Sequence, residues 1–315
     1  MFIGVIRGGK AWLRFTMKIA DLYKKGDLVL SFEVFPPKPD TPLDTVFETI
    51  GQLKALHPAF ISVTYGAGGS QKGRTVEIAS RIKNEFALEV MAHLTCAGHT
   101  DRDIDQILTA LKGAGVENVL ALRGDPPQGQ PQYDFNQGRF RYASELVRYI
   151  RQRGDFCIAA AAYPEGHRDC ARIALDWQNL KAKVDAGVDV LITQLFFDNR
   201  IFYHFLDAVR GLGIRCPIVP GIMPVFNAKQ IKRILTLCGG SMPADLLLLT
   251  DKYGDAPEDM KKAGIDYAIR QINDLLRNGA DGIHLEPMNK PELAREILTG
   301  IGYRSARNPT GMSSD

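Results

Sequence analysis

The chain is poor in cysteine and arranges none of it as a metal or redox site. Five occur in 315 residues, at positions 96, 157, 170, 216 and 238, with no CxxC and no Cys/His cluster at zinc-finger spacing. An odd number set in apolar or mixed stretches reads as buried free thiols, which excludes a disulfide scaffold and leaves no metal site expected. Long hydrophobic runs are lacking too, since none reaches the roughly 18 residues that a membrane helix needs. The N-terminal Met1-Phe-Ile-Gly-Val-Ile6 is too short for a signal-peptide core and has no cleavage site. Residues 1–16 therefore read as an extension ahead of a second candidate start at Met17, and a cytoplasmic location without membrane association is expected. An excess of one charge is missing as well. The 39 Lys and Arg against 36 Asp and Glu leave +3, spread evenly, which gives no footprint for nucleic acid. What remains, 45% hydrophobic and 24% charged residues, is the mix of an ordinary globular protein.

From residue 28 the chain alternates between short β-rich apolar runs and longer stretches with helical spacing. The predicted strands are Leu28–Phe35, Phe60–Tyr65, Leu88–Cys96, Asn118–Arg123, Phe156–Tyr163, Val188–Phe196, Pro217–Ile222 and Gly282–Leu285. Helices are predicted at 43–56, 73–86, 101–114, 141–153, 169–186, 199–211 and 227–237, with a longer one at 257–278 before the last strand and one at 291–300 after it. Strands that are apolar on both faces belong to a parallel sheet, and eight strand–helix units in about 275 residues fit a single (β/α)8 TIM-type barrel. The competing fold, an open doubly wound sheet, wants glycines after the first strand; that strand instead ends in Phe35-Pro36-Pro37-Lys38. The expected organisation is an extension at 1–16, the barrel at 17–303 and a tail at 304–315, with 239–256 an insertion beside the barrel.

Barrel sites are built at the C-terminal ends of the strands, and polar residues gather there. They are Glu33, Thr64, His93, Thr95, the Arg123-Gly124-Asp125 end of the fourth strand, Tyr163 to Glu165, Gln194, His284 and Glu286. Glu33, between phenylalanines at 32 and 35, should lose hydration and hold its proton near neutral pH, as a general acid does; a buried ion pair is the alternative. Asp125, ahead of Pro126 and Pro127, could grip a ring N–H pair or stabilise a developing cation, or could cap a turn. Gln194 calls for a ligand with alternating donors and acceptors, or for neighbouring strands. The Gly66-Ala-Gly-Gly-Ser70 turn could face an anion or be a tight strand–helix turn. Asp176, Asn179 and Lys183 share one helix face, and the aromatics at 196, 197, 202, 203 and 205 read as core and interface.

Eight ordered motifs carry a resemblance: Ser31-Phe-Glu-Val-Phe-Pro-Pro37, Ser62-Val-Thr-Tyr-Gly-Ala67, Ala92-His-Leu-Thr-Cys96, Ala121-Leu-Arg-Gly-Asp-Pro126, Ala161-Ala-Tyr-Pro-Glu165, Asn179-Leu-Lys-Ala-Lys-Val-Asp-Ala-Gly187, Ile192-Thr-Gln194 and Pro220-Gly-Ile-Met-Pro224. From about Leu28 to Gly302 the chain resembles the methylenetetrahydrofolate reductase family, flavin-dependent barrel enzymes of one-carbon metabolism. The resemblance implies hydride transfer from reduced flavin to 5,10-methylenetetrahydrofolate. In it Glu33 is the acid that opens the five-membered ring, and Asp125 stabilises the 5-iminium cation. Gln194, Gln230 and Lys290 join Asp125 as folate contacts. Thr64, His93, Arg123, Gly124, Asp125, Tyr142, Tyr163, His167, Asp176, Asn179 and Lys183 hold the flavin. Three departures qualify it. Ala182 stands where an arginine is common, leaving FMN open beside FAD. Glu286 and Lys290 replace a tyrosine and an arginine in the last-strand motif. Ile234 stands where some bacterial members have phenylalanine, so the electron donor is NAD(P)H or a partner protein. A homo-oligomer is expected, and a flavin-carrying electron-transfer subunit is the alternative reading.

Overall fold

The structure, a computed structural model, describes residues 17–38, 40–65, 72–126, 129–130 and 132–304. The extension 1–16, the Gly66–Ser70 turn, Pro127 and the tail from 305 lie outside the described residues.

Among the described residues, nine strand segments form one parallel sheet: β1 (Val29–Val34), β2 (Phe60–Val63), β3 (Glu89–Thr95), β4 (Asn118–Leu122), β5 (Cys157–Ala162), β6 (Val190–Thr193), β7 (Ile218–Val219), β8 (Gly221–Ile222) and β9 (Gly282–Leu285). Their spatial order is β7-β6-β5-β4-β3-β2-β1-β9-β8. The two end segments are halves of the one predicted run at 217–222, parted by Pro220. Proline has no N–H to give a ladder, but its carbonyl accepts from His284 N at 3.0 Å. One half pairs with β6 and the other with β9, so the chain itself closes the barrel. The expected (β/α)8 barrel is what forms.

Around it lie α1 (Asp44–Lys54), α2 (Lys72–Asn84), α3 (Asp101–Gly113), α4 (Ala143–Arg151), α5 (Ile173–Asp185), α6 (Asn199–Gly211), α7 (Ala228–Cys238), α8 (Ala244–Tyr253), α9 (Pro257–Arg277) and α10 (Pro291–Gly300). The extra helix before the last strand is α9. The 239–256 segment, read as an insertion, contains α8, which leaves Leu247 and Leu248 exposed. Helix α5 begins at Ile173 rather than 169, and the residues before it form a turn that bears on the site below.

Alternation along each strand divides the apolar residues between two layers. Leu30, Phe32 and Val34 of β1 pack outward with helix residues such as Val46, Phe47 and Ile50. Val29, Phe60, Met91, Leu120, Ala159, Val190, Ile192 and Val219 fill the lower interior together with Ile19 and Leu22. Those last two come from a 3-10 turn, Ile19–Lys24, that plugs the N-terminal end of the barrel. Asn118 fastens it: its side-chain carbonyl accepts from Ile19 N at 2.8 Å, and its amide donates to Met17 O at 3.1 Å and Glu89 Oε1 at 2.9 Å. Nothing in the strand–helix alternation pointed to this plug. Of the cysteines, Cys96 and Cys157 are buried, while Cys170, Cys216 and Cys238 are only half-buried; all five are free. No helix among the described residues is long and apolar enough to cross a membrane.

Candidate active site

Glu33 occupies the penultimate position of β1, on the inward face. Its sequence neighbours Phe32 and Val34 belong to the outer layer, so Phe32 is not what surrounds the carboxyl. The interior of the barrel buries it instead, leaving 9% of the residue exposed. Around Glu33 Oε2 stand His93 Nε2 at 3.4 Å, His284 Nε2 at 3.5 Å and Ser62 Oγ, which donates at 3.5 Å. They come from β3, β9 and β2.

These partners are neutral at neutral pH. Burial pushes His93 down to about 3, helped by the nearby His284, and pushes His284 down to about 4. Burial also raises the Glu33 carboxyl well above the usual carboxylate range, against the opposing Ser62 hydrogen bond. The hydrogen bonding is consistent with a proton on the acid. Ser31 Oγ donates to Ile283 O at 3.3 Å, so at 2.8 Å it accepts from His284 Nδ1. That leaves His284 Nε2 as an acceptor facing Ser62 Oγ, at 3.3 Å, and Glu33. His93 Nε2 has no hydrogen-bond partner of good geometry. The cluster can therefore keep a proton on a carboxyl just inside the barrel mouth, with no cation among these partners to draw it off.

A cleft of about 400 Å³ opens between the ends of β4 and β5, the start of α4 and one face of α5. It is lined by seven of the eleven positions expected to hold a cofactor: Arg123, Tyr142, Tyr163, His167, Asp176, Asn179 and Lys183. Lys183 Nζ donates to Ala161 O at 2.6 Å, and burial lowers its pKa to about 8 against the opposing charge of Asp176. Asp176 Oδ2 accepts from His167 N at 3.1 Å. Tyr163 meets the His167 ring edge-on, with centroids 4.7 Å apart. Among the lining residues that the sequence did not single out are Asp169, which pairs with Arg123 at 2.6 Å, and Cys170. Both sit on the turn that the prediction had absorbed into α5.

The other four positions do not line the cleft. Thr64 follows β2 and is tied through its backbone, its N–H to Val34 O and its carbonyl to Thr75 Oγ1. His93 belongs to the acid cluster. Asp125 is exposed after the end of β4. Gly124 has φ +84°, and a Cβ there would lie 2.8 Å from Thr95 Cβ, so this turn demands glycine. The remaining positions expected to contact folate are Gln194, Gln230 and Lys290. Gln194 caps its own strand end, its side-chain carbonyl accepting from Leu195 N at 2.8 Å. Gln230 is half-buried in the first turn of α7. Lys290 is exposed before α10, its ammonium 4.1 Å over the Phe226 ring.

The sequence offered Ser31 and Ser62 only within longer motifs, and His284 and Glu286 as strand-end polar residues without an assigned role. The signal that identifies three of them is alternation: Ser31, Ser62 and His284 share the inward parity of Glu33 on paired strands, with Glu33 opposite Ser62 and Ser31 opposite His284 in register.

A closed parallel barrel with a buried carboxyl of raised pKa in its mouth and a cleft of small-molecule size among its strand ends is the architecture of a ligand-transforming barrel protein. The profile of the methylenetetrahydrofolate reductase family matches residues 18–302, and the chain belongs to that family. It is 40% identical over 296 residues to methylenetetrahydrofolate reductase (NADH) 1 of Arabidopsis thaliana, covering 90% of this chain and 50% of that one. It is 36% identical over 280 residues to 5,10-methylenetetrahydrofolate reductase of Escherichia coli, covering 89% and 93%. The chain thus spans half the length of the plant relatives it matches and nearly the whole of the bacterial ones. Among solved structures, a Clostridium thermocellum protein described as binding two copies of 5-methyl-5,6,7,8-tetrahydrofolic acid superposes with a TM-score of 0.60 at 14% identity, over 90% of this chain and 96% of that one. That likeness is one of fold.

Proposed function

We propose that the chain reduces 5,10-methylenetetrahydrofolate to 5-methyltetrahydrofolate, using a flavin bound in the cleft between β4, β5, α4 and α5. The observation that carries this reading is the buried Glu33 carboxyl among neutral partners. Opening the imidazolidine ring requires a proton on N10 before carbon can accept hydride. An acid at the barrel mouth whose burial holds its proton well above the usual carboxylate range supplies that need. The family membership and the names of the relatives point to the same substrate.

The cleft fits a flavin. Its volume lies in the range of small-molecule sites, about 300–1,000 Å³. Ala121, Ala143, Ala161 and Ala182 give it small walls, and Arg123 and Lys183 give it two cations. When bound, the reduced flavin supplies the hydride. Lys183 would hold a phosphate as a point charge, with Asp176 and Asn179 on the same helix face for ribityl or ribose hydroxyls. Tyr163 and His167 would border the ring system. Glu33 passes its proton to N10 as the C–N10 bond breaks toward nitrogen, leaving the 5-iminium carbon as hydride acceptor. Asp125, exposed at the mouth, meets the pterin N–H edge and balances the iminium charge. Gln194, Gln230 and Lys290 border the rest of the folate, Lys290 pairing with a carboxylate of its tail. FAD is the expected cofactor, with NAD(P)H or a partner protein as electron source.

The test is a half-reaction. The purified protein should release a flavin whose mass identifies it as FAD or FMN. Photoreduced enzyme should reoxidise on mixing with methylenetetrahydrofolate, and Glu33→Gln should bind and reduce flavin normally while reoxidising at least 100-fold more slowly. A colourless protein without affinity for flavin nucleotides, or Glu33→Gln reoxidising at the wild-type rate, refutes the proposal.

A further inference from the structure

One residue of the mouth has no place in that scheme. Glu286 follows β9 immediately, and its N–H still donates to Ile222 O at 2.8 Å, which continues the barrel ladder. The β1–β9 register pairs Ser31 with His284 and Phe32 with Leu285; one step further it sets Glu33 opposite Glu286. Alternation from the inward His284 turns Glu286 inward also. Its carboxyl lies over Gly221, where an added Cβ would stand 3.8 Å from Oε1 and only 2.5 Å from Thr193 O. Glycine at 221 leaves that space free.

We propose that Glu286 is a positioning residue for proton donation: with Glu33 it forms a carboxyl pair across β1 and β9 that tolerates one negative charge at most, so that a proton is always present in the mouth. The inference rests on the reading of Glu33 as the acid of the folate reaction. The groups facing the pair are Ser31 from β1, Ser62 from β2, His93 from β3, His284 from β9 and Cys238 from α7. None of them is a cation near neutral pH, since both imidazoles are held well below their ordinary value and the Cys238 thiol is pushed up to about 12. Without a cation among these groups near neutral pH, a second carboxylate meets burial and the charge of the first, opposed only in part by the nearby His284. Both effects hold the Glu286 proton well above the usual range. The two titrations belong to the pair, not to either residue. After Glu33 gives its proton to nitrogen, the pair carries the one charge it can bear, and a proton from the mouth restores it.

The experiment uses the full chain and Glu286→Gln, which keeps shape and polarity but removes the charge. Two readouts run over the same pH range. Infrared difference titration follows the C=O band of protonated carboxyl, and stopped-flow follows flavin reoxidation by methylenetetrahydrofolate. The expected result is that Glu286→Gln moves the residual carboxyl titration and the basic limb of the rate profile down together by at least one pH unit, a ten-fold or greater loss of proton affinity, while Glu286→Asp restores both. If neither moves, the pair does not exist and the proposal is overturned. If Glu286→Gln fails to fold, Glu286→Tyr carries the same two measurements. A wild-type protein inert toward folate would refute the proposed reaction, yet the infrared titration would still decide whether the two carboxyls share a proton.

Discussion

A cofactor phosphate at Lys183 would make flavin binding depend on pH in a way that flavin lacking phosphate does not share. The folded protein without cofactor holds Lys183 at a pKa of about 8, because burial against Ala161 O costs the charged form more than Asp176 returns. The ordinary value is 10.5, so between about 8 and 10.5 the folded state binds fewer protons than the unfolded one and stability rises with pH. Below 8 the full cost of the buried charge is present, at most roughly 3 kcal/mol. A phosphate beside the ammonium returns the pKa to its ordinary range, so binding above pH 8 must take up a proton. Half of the free protein carries that proton at pH 8 and about one part in a hundred at pH 10, which predicts about 50-fold weaker FMN binding across the interval, or roughly 2.3 kcal/mol. Fluorescence titration of the cofactor-free protein with FMN and with riboflavin measures it, riboflavin correcting for ionisation of the isoalloxazine itself. Lys183→Met should remove the FMN preference, flatten the pH dependence and raise the thermal midpoint of the cofactor-free protein at pH 7. An unchanged ratio of FMN to riboflavin affinity in that variant would show that the lysine never meets phosphate.

Asp125→Asn should slow flavin reoxidation by folate ten-fold or more in single-turnover mixing while leaving FMN affinity within two-fold; an equal loss of both would make the aspartate part of the fold. Gly124→Ala should cost about 1–3 kcal/mol, because it combines a positive φ with a 2.8 Å approach to Thr95, read as a lower urea midpoint at constant slope. Asn118→Ala leaves Ile19 N, Met17 O and Glu89 Oε1 short of a partner at the plugged end. It should cost about 2–4 kcal/mol and expose residues 17–24 to proteolysis before the rest of the chain.

The strands were readable because both faces of a parallel strand are buried, which writes each one as an unbroken apolar run. That continuity hides which face is which. Phe32 and Glu33 look like neighbours in one environment, yet Phe32 packs among helices and Glu33 faces the barrel interior. Burial of Glu33 was expected from flanking phenylalanines, whereas the barrel interior is what buries it. The α5 face at 176, 179 and 183 was visible as spacing and does line the cleft. Asp169 was not visible, because its partner Arg123 lies 46 residues away and the turn carrying it looked helical. The plug at 19–24 precedes the first strand and belongs to no repeating unit, so alternation had nothing to say about it. Helix α8 was hidden by the Gly239-Gly-Ser-Met-Pro243 breakers before it and by Leu247 and Leu248 on its exposed side.

The interior of the barrel is built in two tiers, and the difference between them makes the acid usable. Below, Val29, Phe60, Met91, Leu120, Val190 and Val219 close on Ile19 and Leu22. Above, Ser31, Glu33, Ser62, His93 and His284 converge. A carboxyl open to water from both ends would be hydrated and ionised at neutral pH. Among the described residues the apolar tier and its plug seal one end, so Glu33 is approached from the mouth, where the positions proposed to contact folate lie. The serines and the neutral imidazoles then satisfy the acid without charging it, which a lysine or arginine in any of their places would not do. In the proposed reaction the same logic sets the direction of proton traffic: what leaves Glu33 would go toward the mouth, and what reloads it would come from there. A basic residue introduced on the inward face, as in Ser62→Lys, should therefore ionise Glu33 across the neutral range and abolish folate reduction while leaving flavin affinity intact. If that variant still reduced folate at the wild-type rate, a neutral surround would not be what keeps the acid protonated.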